Sequence, residues 1–174
     1  IERESIPALD AVGRGFEQKR VYLPQLLMSA EAAGSAFERV RAAMAARPAA
    51  AQRRCPVVLA TVEGDIHDIG KNIVRVLLEN YGYTVLDLGK DVPCQLVADT
   101  AKEHNVKLVG LSALMTTTLG AMEETIQLVK AACPDCKVVV GGAVLTADYA
   151  EKIGADFYAK DAMETVAVAK QIVG

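Results

Sequence analysis

The sequence predicts an α/β fold, a doubly wound five-stranded parallel sheet preceded by a partial helical cap, and three observations carry that expectation. Five short apolar runs recur along most of the chain, several of them nearly continuous, as strands covered on both faces are. Helix-like segments separate the runs, giving five βα units in succession. Ahead of them, up to Ala46, the apolar period is helical, and it is lost over "ARPAAAQRR", Ala46 to Arg54.

In chain order, Ile6, Leu9, Val12 and Phe16 make a short stripe on a first helix. On a second, Leu26, Ala30, Ala33, Phe37, Val40 and Met44 recur at steps of four and three, with Pro24 suited to its first turn. Two helices cannot hide both stripes by themselves, so they must pack on further helices, on the following domain or on a ligand. The expected division is a helical segment over 1–46, a linker over 47–54 and an α/β domain over 55–174. Strands are predicted at "VVLATV" (Val57 to Val62), "TVLDL" (Thr84 to Leu88), "KLVGLS" (Lys107 to Ser112), "KVVVGG" (Lys137 to Gly142) and "DFYA" (Asp156 to Ala159). Helices are predicted over Gly70 to Asn80, Pro93 to His104, Leu119 to Ala132, Ala147 to Ile153 and Ala162 to Ile172. The flavodoxin-like strand order 2-1-3-4-5 is the first expectation and the dinucleotide-fold order its rival.

The bulk numbers narrow the function. A length of 174 residues suits one domain with a small appendage, and a net charge of −3 provides no basic field for nucleic acid or an anionic membrane surface. Apolar runs are strand-sized, short of the roughly 20 residues a membrane span needs, and "IERES" at the start has no signal-peptide character. A cytoplasmic chain is expected, and the first residue, not methionine, suggests a module of something longer. Cys55, Cys94, Cys133 and Cys136 are irregularly spaced, which favours reduced thiols, and "CPDC" falls where a helix-to-strand turn belongs.

Ligands of doubly wound sheets bind at the carboxyl ends of the strands, beside the point where strand order reverses. With order 2-1-3-4-5 that point brings together the loop after the first strand, "EGDIHDIG", and the loop after the third, "SALMTTT". The fourth strand adds Gly141, Gly142 and Ala143, where missing side chains would let a flat group lie against the backbone. A phosphate loop is imitated by Gly64, Gly70 and Lys71, but five residues separate the glycines and Asn72 replaces the metal-binding hydroxyl. A receiver domain would need an acid where Ser112 stands. An imidazole that offers one bare nitrogen to a metal donates from its other nitrogen to a carboxylate, and Asp65 is placed to orient His67 in that way. His104 lies near the end of a helix remote from the site, so a metal held by His67 must bring most of its own ligands. A macrocycle with one open axial position does so.

D-x-H-x-x-G at Asp65, His67 and Gly70, S-x-L at Ser112 and Leu114, and the Gly141-Gly142 pair, each after its strand, resemble the fingerprint of cobalamin-binding domains. The wider text, "GDIHDIGKNIV", "LGKDVP", "GLSALMTTT", "VGGAVLT" and "GADFYAKDAMETV", resembles the cobalamin-binding module of bacterial cobalamin-dependent methionine synthases and related corrinoid methyl-carrier proteins. "RVYLPQLLMSAE" is similar to part of the helical cap, a four-helix bundle in that family, of which about two helices are visible here. The resemblance implies that His67 is the lower axial ligand of cobalt, that Asp65 is its hydrogen-bonded partner and that Thr118 stands where the family's relay has a serine. It implies a nucleotide slot lined by Ser112, Leu114, Gly141 and Gly142 with a polar contact from Thr116, and a cofactor surround of Gly64, Ile66, Asp68, Ile69, Gly70 and Ala143. Tyr22 and Leu26 would cover the upper corrin face.

The same resemblance implies a methyl carrier that is not a complete enzyme alone. Cob(I)alamin would take a methyl group, and methylcobalamin would pass it on, most simply from methyltetrahydrofolate to homocysteine on methyltransferase domains or subunits, with a reactivating reductase as a further partner. Its alternatives are a free-standing corrinoid protein of a methanol, methylamine or aromatic-ether methyltransferase system, a mutase cobalamin domain and a non-catalytic cobalamin sensor. A sensor would carry an output element such as a basic helix-turn-helix, and none is legible.

Overall fold

The computed structural model describes residues 55–174 without interruption and, of the first 54, residues 8, 11–12, 14–15, 18–22, 24–25, 28–29, 31–32 and 35. The chain divides into two compact units, Ile1–Ala51 and Gln52–Gly174. In the first, described residues are helical on either side of a turn at 18–21. The Val21 amide donates to Gly15 O at 3.0 Å and the Tyr22 amide to the Gln25 side chain at 2.8 Å, so the turn is closed and the second helical stretch begins on a side-chain acceptor. Most of the two apolar stripes, Leu26 included, and the linker lie outside the described residues.

The second unit alternates strand and helix throughout: β1 (Val57–Thr61), α1 (Ile69–Asn80), β2 (Val85–Asp87), α2 (Cys94–Glu103), β3 (Leu108–Ser112), α3 (Leu119–Ala132), β4 (Lys137–Gly141), α4 (Ala147–Lys152), β5 (Phe157–Ala159) and α5 (Ala162–Ile172). A single 3-10 turn, Thr116–Thr118, leads into α3. The strands form one parallel sheet in the order β2-β1-β3-β4-β5, the flavodoxin-like order the sequence predicts. β1 stops at Thr61, one residue before the predicted end; beyond it Val62 makes an isolated bridge with Val92.

Successive strand side chains point to opposite faces, and each face carries its own core. Val57, Leu59, Leu108 and Val139 pack beneath α1 and α5 with Leu78, Val166 and Ala169. Val58, Ala60, Val109, Leu111, Val138 and Val140 face the other way, against Val97 and Ala101 of α2, Met122 and Ile126 of α3 and Ala150 of α4. Continuous apolar runs such as Val57–Thr61, every residue of which is buried, are therefore what a two-faced sheet demands.

Register brings the functional loops to one end. Thr61 is paired with Ser112 and Ser112 with Gly141, so β1, β3 and β4 all finish level. Beyond them the backbones close up: the Ala113 amide donates to Gly141 O at 3.2 Å. A Cβ on Gly142 would lie 1.9 Å from Ala113 O, and its φ of +139° suits glycine alone. The neighbouring backbone therefore requires glycine at 142, whatever else the pair leaves room for. Gly142→Ala should destabilise this unit by about 2–4 kcal/mol, seen as a lower urea midpoint with unchanged slope.

Candidate cofactor site

The loop from Val62 to Asp68 turns on Gly64, whose φ is +82°, and the Asp65 amide closes the turn on Val62 O at 3.0 Å. That turn drives the Asp65 side chain inward, where it is completely buried. Five donors meet the carboxylate. Oδ1 accepts from the His67 amide at 2.9 Å and lies 2.8 Å from His67 Nδ1; Oδ2 accepts from the Leu114 and Met115 amides at 2.7 and 3.2 Å and lies 3.2 Å from Thr118 Oγ1. Burial pushes the carboxyl up, but the amides of His67 and Leu114, the His67 ring and the Met115 amide outweigh it and bring the pKa down to about 2. Asp65 is therefore an anion throughout the working pH range.

An anion at Nδ1 fixes the imidazole. Asp65 has no proton to give, so Nδ1 carries the hydrogen and Nε2 carries the lone pair. The His67 side chain is 45% exposed while its partner is at zero, so the ring stands at the surface on a buried anchor. Thr118 completes the chain from behind, its single proton shared between Asp65 Oδ2 and Met115 O at 2.9 Å. Its extra methyl, relative to the serine that the resemblance leads one to expect, reaches toward Gly64, where an added Cβ would sit 3.4 Å from Thr118 Cγ2. Asp65, His67 and Thr118 are thus brought together, although they come from two loops.

Beside His67 opens a cleft of about 720 Å³ between α1 and α5, above the carboxyl ends of β1, β3, β4 and β5. Its mouth is formed by Ile66, His67, Asp68, Ile69 and Gly70 from the first loop and by Ser112, Leu114, Gly141, Gly142 and Ala143 from the third and fourth. Its floor reaches Leu59, Gly110 and Val139 in the middle of the sheet. Ser112 Oγ is itself held, 2.9 Å from Thr61 Oγ1, at the level where their strands end. Gly64, Asp65 and Thr118 stand behind the wall rather than in it. Thr116 is exposed on the 3-10 turn, outside the residues that line the cleft. Tyr22 is 70% exposed on the first unit, and Leu26 lies outside the described residues.

Two features show what the cleft suits. Ile66, Ile69 and Leu114 are 61, 75 and 43% exposed, so an imidazole lone pair stands within an aliphatic rim that water alone would leave unfavourably wet. Gly70 has no packing reason to be glycine, because a Cβ built there meets no protein atom within 4 Å, yet Gly70 lines the cleft. Its missing side chain keeps space for something other than protein. A flat, largely apolar group with one open coordination position on a metal would satisfy both the rim and the lone pair.

Other chemistries fit less well. Lys71, the imitation phosphate-loop lysine, is buried, with Nζ 2.6 Å from Asp87 Oδ1 and 3.0 Å from Asn72 Oδ1, so it serves as an internal tie. "CPDC" is a turn in which the Cys136 amide donates to Cys133 O at 3.0 Å; burial, with Cys133 beside it, pushes the Cys136 thiol up to about 12, far from a reactive thiolate. Among the described residues no group of His, Cys, Asp and Glu could hold a metal ion unaided, and no helix is long and apolar enough to cross a membrane.

The B12 binding domain family matches residues 56–167, and a second family of the same description matches residues 1–41. The chain belongs to the B12-binding domain family. Its cofactor is cobalamin, a group that an exposed imidazole, an aliphatic rim and a cleft of this size would suit. A dimethylamine corrinoid protein of Methanosarcina mazei is 43% identical over 175 residues, spanning 99% of this chain and 81% of that protein. A crystal structure of a cobalamin-binding protein from Desulfitobacterium hafniense superposes with a TM-score of 0.75 and 36% identity, over 95% of this chain and 78% of that one. The methanol:cobalamin methyltransferase complex MtaBC of Methanosarcina barkeri matches with a TM-score of 0.73 and 30% identity, over 99% of this chain and 66% of that one.

The fifth strand also contributes. Tyr158, Lys160, Asp161 and Thr165 line the cleft of this B12-binding domain as well, positions that the sequence does not assign to the site although "GADFYAKDAMETV" is among the stretches that carry the resemblance.

Gly70→Ala separates cleft from packing: it should leave stability unchanged or raise it by up to about 1 kcal/mol, while cobalamin binding measured by spectrophotometric titration weakens. Acid should act through Asp65. Its folded pKa of about 2 lies below the ordinary 3.8, so its contribution is present above about pH 4 and is lost as pH falls toward 2. Cofactor-free protein should lose about 2 kcal/mol of stability across that window, a loss that Asp65→Asn removes, as denaturant melts at each pH would register.

Proposed function

We propose that this chain carries a methyl group on cobalamin between methyltransferase partners of a methylamine system. The observation that carries the reading is the His67 ring, tied through Nδ1 to a buried, ionised Asp65 at 2.8 Å, with Nε2 left to bind a metal at the mouth of the cleft. The bound cofactor supplies a cobalt centre that accepts and releases a methyl group.

The chain's own residues then have distinct tasks. His67 Nε2 would hold the cobalt, and the ionised Asp65, 2.8 Å from Nδ1, would keep the ring turned so that Nε2 faces the metal. Thr118 and the Leu114 and Met115 amides hold Asp65 in place. Ser112, Leu114, Gly141 and Gly142 would line the slot that takes the nucleotide tail. Residues 1–46, 47–54 and 55–174 are read as cap, linker and cobalamin domain. Transfer itself belongs to partner proteins, and the chain is their carrier.

The partners follow from the relatives. The match to a dimethylamine corrinoid protein, with over four-fifths of its length covered, supports a methylamine donor over the methyltetrahydrofolate and homocysteine that the methionine synthase resemblance implies. The likeness to a chain of a methanol:cobalamin methyltransferase complex supports a separate methyltransferase subunit as the docking partner.

A visible spectrum of the chain loaded with hydroxocobalamin should show histidine coordination, and His67→Gly should lose it while retaining a folded domain; identical spectra would reject the assignment. Given a methylamine-specific methyltransferase, the reduced, loaded chain should be methylated from a methylamine. Methylation from methyltetrahydrofolate alone would overturn the choice of system.

A further inference from the structure

The loop after β2, Leu88 to Pro93, contributes no residue to the lining of the cleft, yet it is stitched to the loop that carries Asp65 and His67. The Thr61 amide donates to Gly89 O at 3.0 Å, and the Val92 amide returns to Thr61 O at 3.1 Å. Past these strand-like bonds, Asp91 makes two more. Its amide donates to Asp65 O at 2.9 Å, and its Oδ1 accepts from the Gly64 amide at 2.7 Å. One residue thereby grips the Gly64-Asp65 dipeptide at both ends.

We infer that Asp91 is a positioning residue for the axial-ligand pair, acting on His67 through the backbone of Asp65; the inference rests on the reading of His67 as the lower ligand. The Asp65 carboxylate meets the imidazole squarely only if its backbone is fixed as well as its oxygens, and the third-loop amides fix the oxygens alone. Asp91 is exposed, so burial does not explain its side chain, and it holds a left-handed backbone at φ 52°, a conformation to which aspartate and asparagine are better suited than most residues. Both bonds depend on that conformation: it turns the amide and the carboxylate of one residue toward the same neighbouring turn.

Two variants separate the acceptor from the backbone. Asp91→Gly keeps the left-handed conformation and loses Oδ1, while Asp91→Asn keeps both. Nitrogen-15 NMR of the cofactor-free protein reads the His67 tautomer directly, and a hydroxocobalamin titration reads affinity. The parent and Asp91→Asn should both show the Nδ1-protonated ring. Asp91→Gly should show a several-fold larger share of the other tautomer and bind hydroxocobalamin about tenfold more weakly, the lower end of the effect of losing an outer hydrogen-bond partner of a metal ligand. Parental tautomer and affinity in Asp91→Gly, however far its melting temperature falls, would overturn the inference, as would an Asp91→Asn variant that behaves like Asp91→Gly. The tautomer shift appears or fails without cofactor, so absence of histidine coordination in the loaded parent would strike the axial-ligand reading separately.

Discussion

A carboxylate with no access to water has to find its solvation in the protein, and everything at the functional end of this molecule is arranged around that demand. Asp65 is buried to zero exposure and still ionised, because five donors replace the water it has lost. Those donors come from its own loop and from the loop after β3, so solvating one side chain joins two segments that are otherwise independent. Removing the anion would leave inward-facing amides without an acceptor, and removing the amides would strand a charge. The pair is mutually enforcing, and the exposed imidazole takes its orientation from the result.

The sheet supplies the level platform that this arrangement needs. β1, β3 and β4 end in register, and Gly142 lets the chain after β4 touch the chain after β3 where any side chain would collide. On the α1 and α5 side the cleft descends to Gly110, where a Cβ would lie 2.6 Å from Leu59 Cδ2, so that glycine makes room for a neighbouring core side chain. Gly70, at the mouth of the same cleft, meets no such neighbour, and only the surrounding atoms tell the two cases apart.

Sequence periodicity was sufficient for the sheet. Continuous apolar runs located the five strands, and α3 and α5 begin and end where the pattern places them. Alone, D-x-H reads as a helix cap beside an exposed histidine; the Asp65 and His67 pair was legible only in combination, because its loop and the loop after β3 meet where strand order reverses. The amides of Leu114 and Met115 were not, since a backbone donor leaves no mark in the letters. Thr116, Thr117 and Thr118 are identical in the letters, and only the 3-10 turn decides that Thr118 is the one buried. At Gly141 and Gly142, close approach between two protein strands and room for a ligand look alike in one dimension, and only the structure shows the first.

The outer strands add a consequence of a different kind. β2 and β5, at the two margins of the sheet, are three residues each, and Asp87 at the end of β2 is tied by Lys71 and Arg75 to the helix beside it. A margin that short offers a second chain too few free amides and carbonyls to template pairing. The sheet of this unit is therefore a poor seed for edge-to-edge aggregation even when the protein is crowded, and a chain that has to meet another protein repeatedly and let go of it each time is spared the most adhesive contact a β-structure can make.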